Sequence, residues 1–200
     1  LRWVVSSNTL HARNIAERYR FESFATDYQA VLDDPETKLV VIATPNNLHY
    51  PMVLSAARAG KVVFVEKPLC LTEAELGEII KVQYQTKAPI FVGFNRRYSP
   101  LVLKMKEIMS RLDGPFLITY RVNAGFIPTS RWVQDPVIGG GRIVAEGCHF
   151  FDIFNFLLSA GHNEIAVSTC SVNGATSVAK DNVVTNIEYS DGSVASLVYV

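Results

Sequence analysis

Apolar residues come in short runs through the first half of the chain, each followed by a stretch with helical spacing, and that alternation is the pattern of a parallel sheet with crossover helices. Taken in order, the pattern predicts strands at residues 1–5, 39–43, 62–65 and 90–94, and helices at 10–19, 28–32, 51–59 and 72–85. Gly60 closes the third helix, and Thr72 with Glu75 three residues on forms a capping box that satisfies free N–H groups at the start of the fourth. Nearly every strand is a continuous apolar run, as expected where helices cover both faces of a doubly wound sheet.

The pattern changes after residue 94. A helix at 100–111 leads into 116–123, where apolar and polar positions alternate as in a sheet with one buried face, and 167–172 and 183–189 alternate in the same way. Ser190-Asp191-Gly192-Ser193 is a hairpin turn into a last strand at 193–200, and a helix at 148–158 provides an apolar cover. The predicted architecture is α/β: a partial Rossmann sheet over residues 1–94, then an α+β domain with an open, mainly antiparallel sheet over 95–200. The chain starts without methionine in a strand-like run and ends on another, as expected of a piece of a longer protein.

Composition narrows the function classes. Of the 200 residues, 48% are hydrophobic, and 19 basic residues balance 19 acidic ones, so no field steers nucleic acid or an anionic membrane to the surface. No apolar run is long enough to span a bilayer and no signal peptide opens the chain, which makes the cytoplasm the expected location. Cys70, Cys148 and Cys170 lie too far apart for a metal-ligand pattern, and their odd number argues against a disulfide framework. No metal site is expected.

In an open α/β sheet, ligands sit beyond the carboxyl ends of the strands. Here those ends read Thr44-Pro45-Asn46-Asn47-Leu48-His49, Glu66-Lys67-Pro68 and Asn95-Arg96-Arg97-Tyr98. Thr44, Pro45, Asn46, His49, Glu66, Lys67 and Asn95 are the candidate cofactor contacts. Arg96, Arg97, Tyr98, Arg131 and Trp132 are the candidate substrate contacts, since charged forks and flat aromatic faces grip sugars. Read singly, each is an ordinary polar turn residue or surface charge, and Trp132 an ordinary core residue.

Together the segments ATPNNLHY, VVFVEKP, VGFNRRY and SRWVQDPVIGGGRIVAEGCHFFDIFNFL resemble the Gfo/Idh/MocA family of NAD(P)-dependent sugar oxidoreductases, a likeness that covers nearly the whole chain. The resemblance implies that Lys67 touches both the nicotinamide ribose and a substrate hydroxyl, while His149 relays or accepts the hydroxyl proton. Pro68 would fix the backbone behind Lys67, a cis peptide being one way to aim the lysine. The implied reaction is hydride transfer between a nicotinamide cofactor and a hydroxyl or keto carbon of a sugar, cyclitol or nucleotide sugar, in a homodimer or homotetramer built through the C-terminal sheet. The alternative is a non-catalytic relative that uses the same cleft to sense a dinucleotide.

Two departures from the family pattern matter. Many members carry an aspartate four residues before the histidine, where this chain has Ala145; the adjacent Glu146 either supplies the catalytic carboxylate or holds structure. The GxGxxG phosphate loop is absent, as expected if the chain begins at the family's second strand. After that first strand come Ser6, Ser7 and Asn8, with Arg13 further on and no carboxylate to repel a 2′-phosphate, so NADP is expected in preference to NAD.

Overall fold

In the computed structural model, which describes residues 1–158, 163–171 and 181–200, the predicted elements form with small changes at their ends. The chain divides into two compact units. The first comprises Leu1–Thr44, Leu48–Glu66 and Thr72–Val92; the second comprises Pro45–Asn47, Lys67–Leu71 and Gly93–Val200.

The first unit holds β1 (Trp3–Val5), α1 (Thr9–Tyr19), β2 (Ser23–Ala25), α2 (Gln29–Asp33), β3 (Leu39–Ile42), α3 (His49–Arg58), β4 (Val62–Val65), α4 (Glu73–Thr86) and β5 (Ile90–Val92). All pairings are parallel, β1 with β2 and β3-β4-β5 in that order, and β1 is not hydrogen-bonded to β3. The capping box at α4 is present, with Glu75 N donating to Thr72 Oγ1 and Thr72 N to Glu75 Oε2, each at 3.2 Å. Sequence pattern did not predict β2, because three residues are too few to show a period.

Val63 and Val65 of β4 are fully buried, and so are Val53, Ala56 and Ala57 of α3, whose small side chains let helix and strand approach closely. Val41, Phe64 and Phe91 stand in register across β3, β4 and β5 on one face, and they are 63%, 37% and 56% exposed.

The second unit contains α5 (Pro100–Met109), β6 (Leu117–Val122), α6 (Cys148–Leu158), β7 (Glu164–Ser171), β8 (Val183–Tyr189) and β9 (Val194–Tyr199). Ser99 caps α5 by accepting from Val102 N, and Pro100 occupies the first turn, where a missing N–H costs nothing. The sheet order is β6-β9-β8-β7, with β6 and β9 parallel and the other pairs antiparallel. Burial alternates strictly along β8, and its inward residues Val183, Ile187 and Tyr189 join Ala195, Leu197 and Tyr199 of β9 under Phe150, Ile153, Phe154 and Leu157 of α6. Val172, the last residue of one predicted strand, lies outside the described residues. Among the described residues, no helix is long and apolar enough to cross a membrane.

Candidate functional site

The glycine triplet builds the entrance to α6. Gly140 and Gly141 adopt φ of +80° and +78°, a region that side chains with a Cβ rarely enter. Gly139 is needed for a different reason: a Cβ there would overlap the carbonyl oxygen of Val133 and stand 2.5 Å from its Cα. This turn is pinned by Asn46, buried, whose Nδ2 donates to Gly139 O at 2.9 Å, and by Asn47 N donating to Ile138 O at 3.1 Å. Gly139→Ala is expected to destabilise the protein by about 1–3 kcal/mol through overpacking against main chain, read as a lowered urea midpoint with an unchanged m-value. An unaltered midpoint would mean that the turn yields freely.

After the triplet, Ile143–Gly147 forms a π-helical turn that runs directly into α6. Such turns cluster at functional sites because the wider coil releases main-chain groups from regular pairing. Hydrophobic spacing cannot tell a π turn from an α turn, so the sequence carried no sign of it. Here the carbonyl of Ala145 accepts from Lys67 Nζ at 2.9 Å. The position where an aspartate was expected therefore offers lysine a main-chain acceptor. The Lys67–Pro68 peptide is cis.

Lys67 and Glu146 open onto one cleft of about 540 Å³ within the second unit, together with Asn46, Arg131 and Trp132. Phe126, Ile127, Pro128 and Val133 complete its wall. Trp132 and Phe126 are 51% and 78% exposed, so Trp132 is not a core residue, and two aromatic faces are available to the apolar side of a ring-shaped ligand. No motif marked Phe126, which lies in an irregular stretch between β6 and the glycine triplet.

His149 does not line this cleft. It sits in the first turn of α6, 6% exposed, with its ring edge-on to Phe94 at a centroid distance of 6.4 Å. Burial is the main reason its pKa falls from 6.5 to about 4, and the charges of Lys67 and Arg96 add to the fall against the opposing pull of Asp152 and Glu146. The imidazole is therefore neutral near pH 7, and among the described residues Nδ1 has no hydrogen-bond partner. Neighbouring Cys148 is pushed up to about 11, chiefly by burial, which keeps it a thiol.

The other predicted residues have varied surroundings. Arg97 donates through Nε to Asp152 Oδ2 at 3.0 Å and through Nη2 to Oδ1, a bidentate pair that gives the guanidinium a structural partner. Arg96 lies over the Phe150 ring at 4.7 Å; Asn95 and Tyr98 are exposed. In the first unit, Ser6 Oγ is 3.2 Å from His11 Nδ1 and accepts from Asn8 N, and Asn8 caps α1 by accepting from His11 N. Ser7 is exposed, and Arg13 lies over the Phe24 ring at 5.6 Å. His49 is buried, its Nε2 2.9 Å from Thr44 O. Glu66, partly exposed at the carboxyl end of β4, donates its N–H to Ile42 O at 2.8 Å. Thr44 and Glu66 fall in the first unit, Pro45 and Lys67 in the second.

Comparison with known proteins matches residues 1–94 to the model of an oxidoreductase family's NAD-binding Rossmann fold, and residues 109–200 to the C-terminal alpha/beta domain of an oxidoreductase family. The levoglucosan dehydrogenase of Pseudarthrobacter phenanthrenivorans is 28% identical over 163 residues, covering 78% of this chain and 42% of the relative. The scyllo-inositol 2-dehydrogenase (NAD(+)) of Bacillus subtilis is 30% identical over 165 residues, 77% of this chain and 46% of the relative. The chain thus spans less than half the length of these relatives. A solved structure of levoglucosan dehydrogenase in complex with NADH and levoglucosan superposes with a TM-score of 0.86 at 26% identity, over 98% of this chain and 56% of the other.

Proposed function

The chain belongs to the Gfo/Idh/MocA oxidoreductase family, and on that premise we propose that its protein oxidises or reduces a ring carbon of a sugar or cyclitol with a nicotinamide dinucleotide. The observation that carries this reading is the bond from Lys67 Nζ to the turn that begins α6. It sets the ammonium in the aromatic-walled cleft and close enough to His149 to hold down that residue's pKa.

The residues at the strand ends fit such a cofactor in part. Ser6 to Asn8 follow β1 at the start of α1, and Thr44 and Glu66 follow β3 and β4, all at carboxyl ends where a doubly wound sheet receives its ligand. When bound, the nicotinamide supplies the hydride chemistry. The protein's own part is to hold the hydroxyl by the Lys67 ammonium, favour the alkoxide as it forms, and relay its proton on to the neutral imidazole of His149, which does not itself line the cleft.

Preference for NADP finds no support among the relatives, whose solved complexes include one with NADH. Of the residues expected to favour it, Arg13 lies over the Phe24 ring, and the Ser6 hydroxyl already has His11 and Asn8 as partners. The test is to titrate the full-length protein with NADH and with NADPH by nicotinamide fluorescence, then assay levoglucosan, myo-inositol and scyllo-inositol with the tighter-binding dinucleotide. Saturable binding with turnover of at least one polyol is expected. Binding without turnover of any of them would instead favour a sensing role, and no binding of either dinucleotide would remove the reading.

A further inference from the structure

We infer that Tyr199 is a positioning residue that fixes the carboxylate of Glu146 as a hydroxyl acceptor in the cleft, an inference that rests on reading the cleft as the polyol site. Tyr199 is the last residue of β9 and wholly buried. Its hydroxyl donates to Glu146 Oε2. Arg142, one turn before Glu146 and 3% exposed, brings Nη2 within 3.5 Å of the same oxygen, and its guanidinium lies 5.1 Å from the centre of the Tyr199 ring.

Arg142 is itself held in place. Its Nη1 donates to Gly125 O at 2.7 Å and lies 3.8 Å from Asp181 Oδ2, which accepts from Gln134 Nε2 at 2.7 Å. Both contacts on Glu146 therefore reach one oxygen from the buried side. Among the described residues no hydrogen bond reaches Oε1, and Glu146 lines the cleft.

An ionised carboxylate only accepts hydrogen bonds, and an ammonium only donates them. Lys67 is bonded to the carbonyl of Ala145, the residue next to Glu146, so donor and acceptor open onto the cleft from adjoining positions. That pair suits a small neutral polyol in which the reacting hydroxyl on Lys67 has a neighbour that donates to Glu146. A carboxylate on a flexible stem would lose rotamer freedom on engaging such a hydroxyl, and the hold from Tyr199 removes that loss before binding.

The test uses the full-length protein with the tighter-binding dinucleotide and the three polyols named above, as wild type, Tyr199→Phe, Glu146→Gln and the double variant. Tyr199→Phe keeps the ring in the core and deletes only the donor. KM for the polyol is expected to rise about tenfold or more in each single variant, the scale of one hydrogen bond to a charged group, with a smaller change in kcat. The double variant should be no worse than the worse single one, since both act through one carboxylate. Unchanged KM in both singles, while Lys67→Met still lowers kcat by about 10²-fold or more, overturns the inference and leaves the proposed function standing; undiminished turnover in Lys67→Met overturns the function instead. Crystal structures of wild type and Tyr199→Phe decide the positioning without activity: a displaced Glu146 carboxylate supports it, and an unmoved one sinks it.

Discussion

Lys67→Met in the full-length protein is expected to lower kcat by about 10²–10⁴-fold, and His149→Ala by a similar factor, the range in which positioned acid–base groups contribute. Methionine keeps most of the lysine's length and loses its charge, so the cleft keeps its shape while the hydroxyl loses the cation that favours its ionised form. His149 adds a test by pH. With its pKa lowered to about 4, the imidazole accepts protons throughout the neutral range, so the acid limb of kcat/KM, which reports the free enzyme's base, should fall near pH 4 and disappear in His149→Ala. An acid limb near 6.5 would mean a solvated imidazole and would remove the buried-base account.

The same depressed pKa makes a statement about stability, and its sign is fixed. The folded state resists protonation of His149, whereas the unfolded chain takes up that proton at about 6.5, so the unfolded state binds more protons between the two values. This group's contribution is complete above about 6.5 and declines as the pH falls from there towards 4. His149→Ala should flatten that part of the stability profile, although it also removes a ring packed against Phe94.

Much of the fold was legible because its signals are local. Residues 62–65, 148–158 and 183–189 were placed with the bounds the structure has, each marked by an unbroken apolar run, a helical stripe or strict alternation. What could not be read arises from contacts distant in sequence. The bond between Tyr199 and Glu146 joins residues 53 apart, and that between Asn46 and Gly139 residues 93 apart. Neither Tyr199, one inward position in an alternating strand, nor Arg142, one basic residue after three glycines, carries a mark in sequence of what it faces. The motif around Lys67 could be read from side-chain types, whereas the main-chain acceptor of its ammonium, the Ala145 carbonyl, could not, because main-chain groups leave no mark in sequence. Arg97 is a further case, since nothing local marks Asp152, 55 residues on, as the partner of its guanidinium.

Arg97→Met is expected to destabilise the protein by about 3–5 kcal/mol, because it leaves the carboxylate of Asp152, 8% exposed, buried without its countercharge. The fork geometry matters: two parallel bonds join the groups, and Arg97→Lys keeps the charge but can make only one of them, so its loss should be intermediate. Urea unfolding of a double variant separates this from lost packing over Phe94 and Phe156. Arg97→Met combined with Asp152→Leu should recover much of the loss, since replacing both partners of a buried pair with apolar groups is often neutral or stabilising. A double variant no more stable than Arg97→Met would show that the pair is not what makes Arg97 necessary. A rise in polyol KM in Arg97→Lys at full stability would return this arginine to the substrate.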